Sequence, residues 1–176
     1  FQVPNGVVDI LVKDEAEAVD TAKKYLSYFQ GSIEEWEAPD QRRLRQIVPE
    51  NRMRLYDMRE IIETIADRGS VLEIREKFGV GVITSFIRVE GKPMGGIANN
   101  PHHIAGAIDS DGADKGARFV QLCDAFDIPI LSLMDCPGMM VGPDVESTAL
   151  VRHCVRMFNA GANLTTPMFL TVVRKA

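Results

Sequence analysis

The sequence predicts an α/β domain built on a largely parallel sheet. Over residues 113–173, patterns typical of a helix, a strand, a helix and a strand follow one another, and this succession implies right-handed crossovers. The segment 129–134 is an almost unbroken apolar run, as expected of a central strand that is covered on both faces. The chain has 176 residues and is 45% hydrophobic, which is enough for one compact core.

The N-terminal part of the chain predicts one helix followed by a linker. Residues 14–29 carry apolar side chains at helical spacing, from Val19 to Phe29, and acidic side chains crowd the first turn. Residues 31–46 are mostly polar and contain a Pro-Asp pair, which indicates a linker. We therefore expect three segments, namely a connecting helical segment at 1–30, a linker at 31–46 and the main domain at 47–176.

The main domain is expected to alternate between helices and strands. Asp57 is a suitable N-cap for its first helix, with Glu60 at the capping-box position. A β-branched strand and its partner follow, joined by a turn at Gly91. The expected strands cover 80–89, 93–98, 129–134 and 168–173, and the later helices cover 113–126 and 145–162.

Composition excludes several classes of function. The net charge of −5 argues against a nucleic-acid-binding protein, because such proteins need a basic face. No apolar run approaches the roughly 20 residues of a membrane span. Three cysteines, far apart and odd in number, predict neither a disulfide framework nor a metal site, and they favour a reduced, intracellular setting. The chain starts at Phe1 and stops directly after an apolar strand, so we expect it to be a piece of a longer polypeptide.

The loop 135–143 is the first candidate site. It links a buried strand to a helix, and ligands of open α/β sheets bind at such strand ends. Gly138 and Gly142 allow sharp turns and close approach of a ligand to the backbone amides, which suits a developing oxyanion. An ordinary strand-to-helix turn would have the same pattern, and that alternative stays open.

The second candidate is the segment 94–103. Its paired glycines suggest close backbone approach, and Asn99 and Asn100 stand where they can hydrogen-bond a ligand. His102 and His103 are adjacent, so their side chains diverge, and we expect them at a surface and not on a metal. Cys136 is an alternative thiol nucleophile. The candidate segments contain few titratable side chains, which favours catalysis by backbone amides.

Several segments, taken together, resemble one enzyme family: the C-terminal half of the biotin-dependent carboxyltransferases, which are the β-type subunits of acyl-CoA carboxylases such as propionyl-CoA carboxylase β. The segments that carry the resemblance are 47–51, 56–59, 67–73, 95–101, 114–119, 133–138 and 172–176. Residues 6–30 are also similar to the segment that joins the two halves of this family. The resemblance implies a crotonase-like fold, a spiral of ββα repeats, of which this chain is a truncated second half.

The resemblance also implies a reaction. A carboxyl group passes from carboxybiotin, borne on a partner carrier protein, to the α-carbon of an acyl-CoA, and oxyanion holes stabilise the charge. It implies a biotin carboxylase subunit as a further partner, an active site at a dimer interface, commonly a hexamer, and a location in the cytoplasm or the mitochondrial matrix. The backbone N–H groups of Gly138 and Met139 become the oxyanion candidates. Residues expected to face substrate or biotin are Pro137, Met140, Gly142, Asn99 and Asn100.

Two departures and three alternatives accompany the resemblance. Family members usually carry an aromatic residue where Met139 stands, and the stretch 141–153 departs from the propionyl-CoA type. A biotin-dependent decarboxylase would use the same site in reverse. A crotonase-family hydratase or isomerase would need a suitably placed carboxylate, and an inactive assembly domain would need no chemistry. We expect the chain alone not to transfer carboxyl groups, because half of the site is supplied by other segments.

Overall fold

The computed structural model describes residues 1–176, which form a five-stranded sheet with helices on both faces. The strands lie in sequence order across the sheet, and the first three are antiparallel whereas β3, β4 and β5 are parallel. Their bounds are Leu72–Ile74 (β1), Val82–Val89 (β2), Lys92–Asn99 (β3), Ile130–Met134 (β4) and Met168–Val172 (β5). The parallel half is the one expected from the elements of residues 113–173, and the partner strands joined by a turn at Gly91 were also expected, so only the description of the whole sheet as largely parallel is wrong.

A tight hairpin causes that difference. Glu90 and Gly91 both have positive φ, at 51° and 74°, which is the requirement of a two-residue turn that matches strand twist. Such a turn can only join antiparallel neighbours. The short strand β1 has no pattern of its own in the sequence, and it is defined by its pairing with residues 84–86 of β2.

Six helices surround the sheet, and two of the expected helices, 113–126 and 145–162, differ from what the sequence predicts. Asp109 caps the fourth helix by accepting from the Gly112 amide at 2.8 Å, so this helix begins before the expected residue 113. The expected helix 145–162 is two helices, because Ala149 takes a left-handed φ of 59° between them. The bounds are Glu15–Ser27 (α1), Leu44–Ile47 (α2), Met58–Ile65 (α3), Ser110–Ala125 (α4), Pro143–Glu146 (α5) and Leu150–Ala162 (α6).

The core has two layers, one on each face of β2. Phe86 and Ile97 pack with Phe119 of α4 on one face, whereas Ile83 packs with Ile62 of α3 on the other. The first of the paired glycines of β3, Gly95, is explained by this packing. A Cβ on Gly95 would lie 2.5 Å from the sulfur of Cys123, so the close backbone approach is to α4 and not to a ligand.

The N-terminal segment packs on the main domain. Tyr28 is buried against Phe86, and their ring centroids are 5.4 Å apart. Arg88 of β2 donates to the carbonyl oxygens of Ser27 and Gly31, which fixes the chain as it leaves α1. The segment boundaries at 30 and 46 stay predictions, but the first segment shares its core with the third. Across these residues, none of the helices combines the length and the apolar character that a bilayer crossing requires.

Candidate functional site

The loop 135–142 lies at the edge of the sheet where β3 and β4 end. Because these strands are parallel, their carboxyl ends meet, and Asn99 therefore lies near the start of the loop. The loop pairs with Ile108: the Ile108 amide donates to the Gly138 carbonyl at 3.1 Å, and the Met140 amide donates to the Ile108 carbonyl at 3.0 Å. This pairing holds the loop open in an extended form ahead of α5.

Because of this pairing, some backbone amides of the loop have a hydrogen-bond acceptor within the protein and others have none. The Met139 amide makes no hydrogen bond within the protein, whereas the Met140 amide is used by Ile108. The Gly138 amide donates only to the Cys136 thiol sulfur, at 3.3 Å, which is a weak acceptor. Pro137 and Gly138 are exposed, and Met139, Met140 and Gly142 are half-buried. Met139 thus offers the one unengaged donor of the predicted pair, and Gly138 offers a weakly engaged one.

Asn99 and Asn100 support the neighbouring loop. The Asn99 side-chain amide donates to the Gly106 carbonyl at 3.1 Å, and that of Asn100 donates to the Val80 carbonyl at 2.9 Å. The Asn100 side-chain oxygen accepts from the His102 amide at 3.1 Å. Both side chains are buried, so their hydrogen bonds shape the chain around the candidate site. Of the two, Asn99 also lines the cleft described below.

Sequence reasoning missed a buried ionic cluster at the base of the loop. The carboxylate of Asp135 has no solvent exposure and accepts from the Tyr56 hydroxyl at 2.7 Å. The Arg174 guanidinium lies 3.2 Å from the same carboxylate and stacks on the Tyr56 ring at 4.9 Å. Lys175 lies 3.2 Å from the second carboxylate oxygen, at ion-pair distance but outside hydrogen-bond geometry. Burial, reinforced by the hydrogen bond to Asp135, raises the pKa of the Tyr56 hydroxyl.

The ionic cluster joins the loop to the end of β5. The Cys136 amide donates to the Lys175 carbonyl at 3.0 Å, directly beside the charged contacts. Residues that follow two neighbouring parallel strands, β4 and β5, thereby meet at one edge of the sheet. The sequence does contain a signal for this ionic cluster. Asp135 follows one expected strand, and the basic residues Arg174 and Lys175 follow the next.

An apolar cleft opens beside the loop. Its volume is about 300 Å³, and it lies between α4, α6 and the strands. Cys136 and Met139 of the loop and Asn99 of β3 are part of its wall. The cleft therefore adjoins the residues that the sequence singled out, although no sequence pattern predicts a cavity there.

His103 and a further histidine, His153, each have a carboxylate partner. His103 Nε2 lies 2.9 Å from Asp109, and His153 Nδ1 lies 2.8 Å from Asp114, so both histidines are half-buried and paired. No group of three or more His, Cys, Asp or Glu side chains is arranged to hold a metal. Burial raises the pKa of the Cys123 thiol to about 12, and burial also raises that of Cys154. These two thiols are held protonated, which is unfavourable for a nucleophile.

The chain as a whole is similar to proteins of known type. The family model described as "Carboxyl transferase domain" matches residues 2–176. A single-chain, multi-domain long-chain acyl-CoA carboxylase superposes with a TM-score of 0.96 at 53% sequence identity, over 97% of this chain and 18% of that one. The transcarboxylase 12S hexamer, solved with methylmalonyl-coenzyme A, superposes with a TM-score of 0.87 at 31% identity, over 97% of this chain and 35% of that one.

A curated relative shows the same kinship at the level of sequence. The propionyl-CoA carboxylase β chain of Roseobacter denitrificans is 43% identical over 130 residues, which are 74% of this chain and 26% of that protein. The chain thus spans about a third or less of the length of each of these proteins. The family model and the superpositions confirm the crotonase-like α/β fold and the resemblance to acyl-CoA carboxylase β subunits, and the chain belongs to the carboxyl transferase domain family.

Proposed function

We propose that this chain forms part of a site that transfers a carboxyl group between biotin and the α-carbon of an acyl-CoA. The observation that carries the proposal is the unengaged Met139 amide, on an exposed glycine loop at the carboxyl edge of β3 and β4. When bound, carboxybiotin would supply the carboxyl group, and the Gly138 and Met139 amides would lie where negative charge left on its ureido group could be stabilised. Membership of the carboxyl transferase family supports this reaction class.

The residues present suit such a ligand. A growing oxyanion needs preorganised donors, and one such donor is worth about 3 kcal/mol of activation barrier. Met139 and Gly138 supply N–H groups, while the half-buried side chains of Met139 and Met140 supply an apolar wall for a ring. The one carboxylate of the loop, Asp135, is buried and paired with Tyr56, Arg174 and Lys175, so it is not placed to act on a substrate as a general acid or base. This favours carboxyl transfer over a hydratase or isomerase.

The chain is proposed to act within a larger assembly. Hexamer assembly is named for the transcarboxylase 12S relative, and we infer a homo-oligomer that also receives a biotinylated carrier and works with a biotin carboxylase subunit. Strand β5 has exposed apolar side chains, including Phe169 at 57%, which suits a surface covered in the assembly. The three cysteines are free, which suits a reducing cytoplasm.

The test is a carboxyl-transfer assay on the complete polypeptide that carries these residues. Free biotin and a panel of carboxylated acyl-CoAs are supplied, and biotin-dependent release of the acyl-CoA is measured. We expect turnover by the complete enzyme and none by residues 1–176 alone. A folded, oligomeric enzyme that is silent across the panel would contradict the proposal and favour the hydratase or assembly alternatives. Release that accompanies sodium transport would favour the decarboxylase.

A loop variant tests the role of the amide. Met139→Pro removes the N–H group, and we expect kcat to fall about 100-fold or more while acyl-CoA binding persists. Met139→Leu keeps the amide and changes only the side chain, so its loss should stay below about tenfold. If both variants lose activity equally and retain the melting temperature of the parent, the amide does not stabilise the transition state.

A further inference from the structure

We propose that a basic groove beside α4 binds a phosphate group. The groove consists of two adjoining hollows of about 520 and 330 Å³, and it shares no residue with the apolar cleft beside the loop. Both hollows lie between the N-terminal segment, the end of β1 and α4, and α6 completes the wall of the larger one. The inference concerns a site separate from the proposed carboxyl transfer and does not depend on it.

Most of the charged side chains of the groove are positive. The larger hollow is lined by Arg75, Arg118 and Arg156, with Asp114 as its one carboxylate. Arg75 and Arg118 also line the smaller hollow, where Lys115 joins them. The chain as a whole has a net charge of −5, so this local excess of positive charge is opposite in sign to that of the molecule. A concave surface lined by one sign of charge attracts ions of the other sign.

The two carboxylates of the groove are engaged, and one arginine has no partner. Asp9, in the smaller hollow, lies 2.6 Å from Arg75, and Asp114 lies 3.0 Å from Arg156. Arg118, in contrast, is exposed and makes no ion pair within the chain. A guanidinium presents five N–H donors in a planar fork that matches the oxygens of a phosphate group. Arg118 is therefore available to an anion in either hollow.

Lys115 is a buried cation without a partner. Its side chain is only 1% exposed, and its ammonium group makes no hydrogen bond within the protein. A buried charge of this kind is costly, because it has lost its hydration and has no opposite charge to replace it. Since Lys115 lines the smaller hollow, an anion bound there would supply the missing partner.

Lys115 also keeps its charge at neutral pH. Burial lowers its pKa to about 8, which leaves the ammonium form in excess at pH 7. The surrounding charges act in both directions, since Glu73 and Glu76 raise this pKa whereas Arg59 and Arg75 lower it. Burial has the larger effect, so these carboxylates do not compensate the buried charge.

The number of donors favours a phosphate group over a carboxylate. A carboxylate has two oxygens, which a single guanidinium can satisfy, whereas a phosphate monoester offers three acceptor oxygens. Besides Arg118 and Lys115, the groove contains the side-chain amides of Gln121 and Asn159, which can donate to a third oxygen. Inorganic phosphate and the phosphate group of a nucleotide share this chemistry.

The experiment measures the binding of inorganic phosphate to the complete polypeptide by isothermal titration calorimetry at constant ionic strength. We expect saturable binding by the parent. Arg118→Gln removes the unpaired guanidinium at an exposed position and should raise the Kd at least about tenfold. Lys115→Met should abolish binding and should raise the melting temperature measured without phosphate, because the unpaired buried charge is gone. Lys92→Met, at an exposed position of β3, is the matched control for the loss of one positive charge and should leave the Kd unchanged.

The outcomes are distinct. Equal Kd values for Arg118→Gln, Lys92→Met and the parent would overturn the proposal, because binding would then not depend on the groove. A folded parent that binds no phosphate would also overturn it, and Lys115 would then be paired by another part of the polypeptide. If Lys115→Met does not fold, Arg118→Gln decides alone.

A second titration, with adenosine 5′-monophosphate, distinguishes the sources of the phosphate group. Tighter binding than that of inorganic phosphate, lost in Arg118→Gln, would support the proposal with a nucleotide as the ligand. Equal or weaker binding would support it with free phosphate as the ligand. Because both titrations measure binding and not turnover, their results are independent of the carboxyl-transfer assay.

Discussion

Asp135 shows how one residue controls the geometry of the candidate site. Its carboxylate is fully buried and is surrounded by Tyr56, Arg174 and Lys175. A buried ion pair is costly to desolvate, and it persists only when further hydrogen bonds complete it. Here Arg174 also donates to the carbonyl oxygens of Arg52 and Arg54, which completes its own set of partners. The cluster therefore holds three separate chain segments together directly below the loop.

The first prediction concerns the Tyr56 hydroxyl. Tyr56→Phe keeps the ring on which Arg174 stacks but removes the donor to Asp135, and we expect a loss of about 1.5–3 kcal/mol in the free energy of unfolding. Denaturant unfolding measures this loss. Tyr25→Phe is the matched control, because the Tyr25 hydroxyl has no hydrogen-bond partner in the protein, and its effect should stay within about 0.5 kcal/mol. Equal effects of the two changes would show that the ionic cluster contributes little to stability.

At the scale of elements, Asp124 joins the end of α4 to the start of β5. One carboxylate oxygen accepts from the amides and the hydroxyls of Thr165 and Thr166, at 2.8–3.0 Å. These hydrogen bonds, led by the one from the Thr165 amide, lower the pKa of Asp124 to about 2. The interaction orients the turn that leads into β5, and so it helps to set the edge of the sheet beside the cleft.

The second prediction is the pH dependence of that joint. A folded-state pKa of about 2 lies below the unfolded value of about 3.9. The contribution of Asp124 to stability is therefore full above about pH 4 and is lost as the pH falls towards 2. Asp124→Asn should lower the melting temperature at neutral pH. It should also flatten the fall of the melting temperature at acid pH, which we call the acid limb. Thermal unfolding across the acid range measures both effects.

The control for Asp124 is Asp20→Asn on the exposed face of α1, where no side-chain partner exists. We expect this variant to keep both the melting temperature and the acid limb of the parent. An acid limb that persists in Asp124→Asn would assign the acid sensitivity to other carboxylates, and the proposed role of this joint would be wrong.

On the scale of the whole molecule, an aromatic cluster unites the N-terminal segment with the sheet. The ring of Phe86 has no solvent exposure. Its centroid lies 5.4–5.6 Å from those of Tyr25, Tyr28, Phe29 and Phe119. Three of these four partners come from α1 and the residues just after it. The helix expected to form a separate segment is therefore part of the main hydrophobic core.

The third prediction tests this unity. Phe86→Ala should cost about 3–5 kcal/mol of unfolding free energy, because a large buried ring is removed. Hydrogen exchange of the α1 amides should increase at the same time. Leu26→Ala, at an exposed position of α1, is the matched control and should cost less than about 1 kcal/mol. If the exchange of α1 stays slow in Phe86→Ala, the N-terminal helix is held by other contacts.

Much of the fold was predictable from local patterns. The strands β2, β3, β4 and β5, the helix α4 and the loop after β4 follow from apolar periodicity, turn residues and caps. The strand β1 was not predictable, because three residues carry no period and only the pairing with β2 defines them. The break at Ala149 was missed for a similar reason, since alanine favours a continuous helix in sequence.

What the sequence determined by itself is the order of elements, the glycine loop and the family, since these depend on residues near one another in the chain. Tertiary structure alone decided three features of the site: which loop amide is unengaged, where Asp135 finds its partners, and that a cleft exists. The Met140 amide is committed and the Met139 amide is not because Ile108, from another segment, lies across the loop. Hydrogen bonds and cavities depend on what packs opposite a residue, and that neighbour is set by the fold of the whole chain.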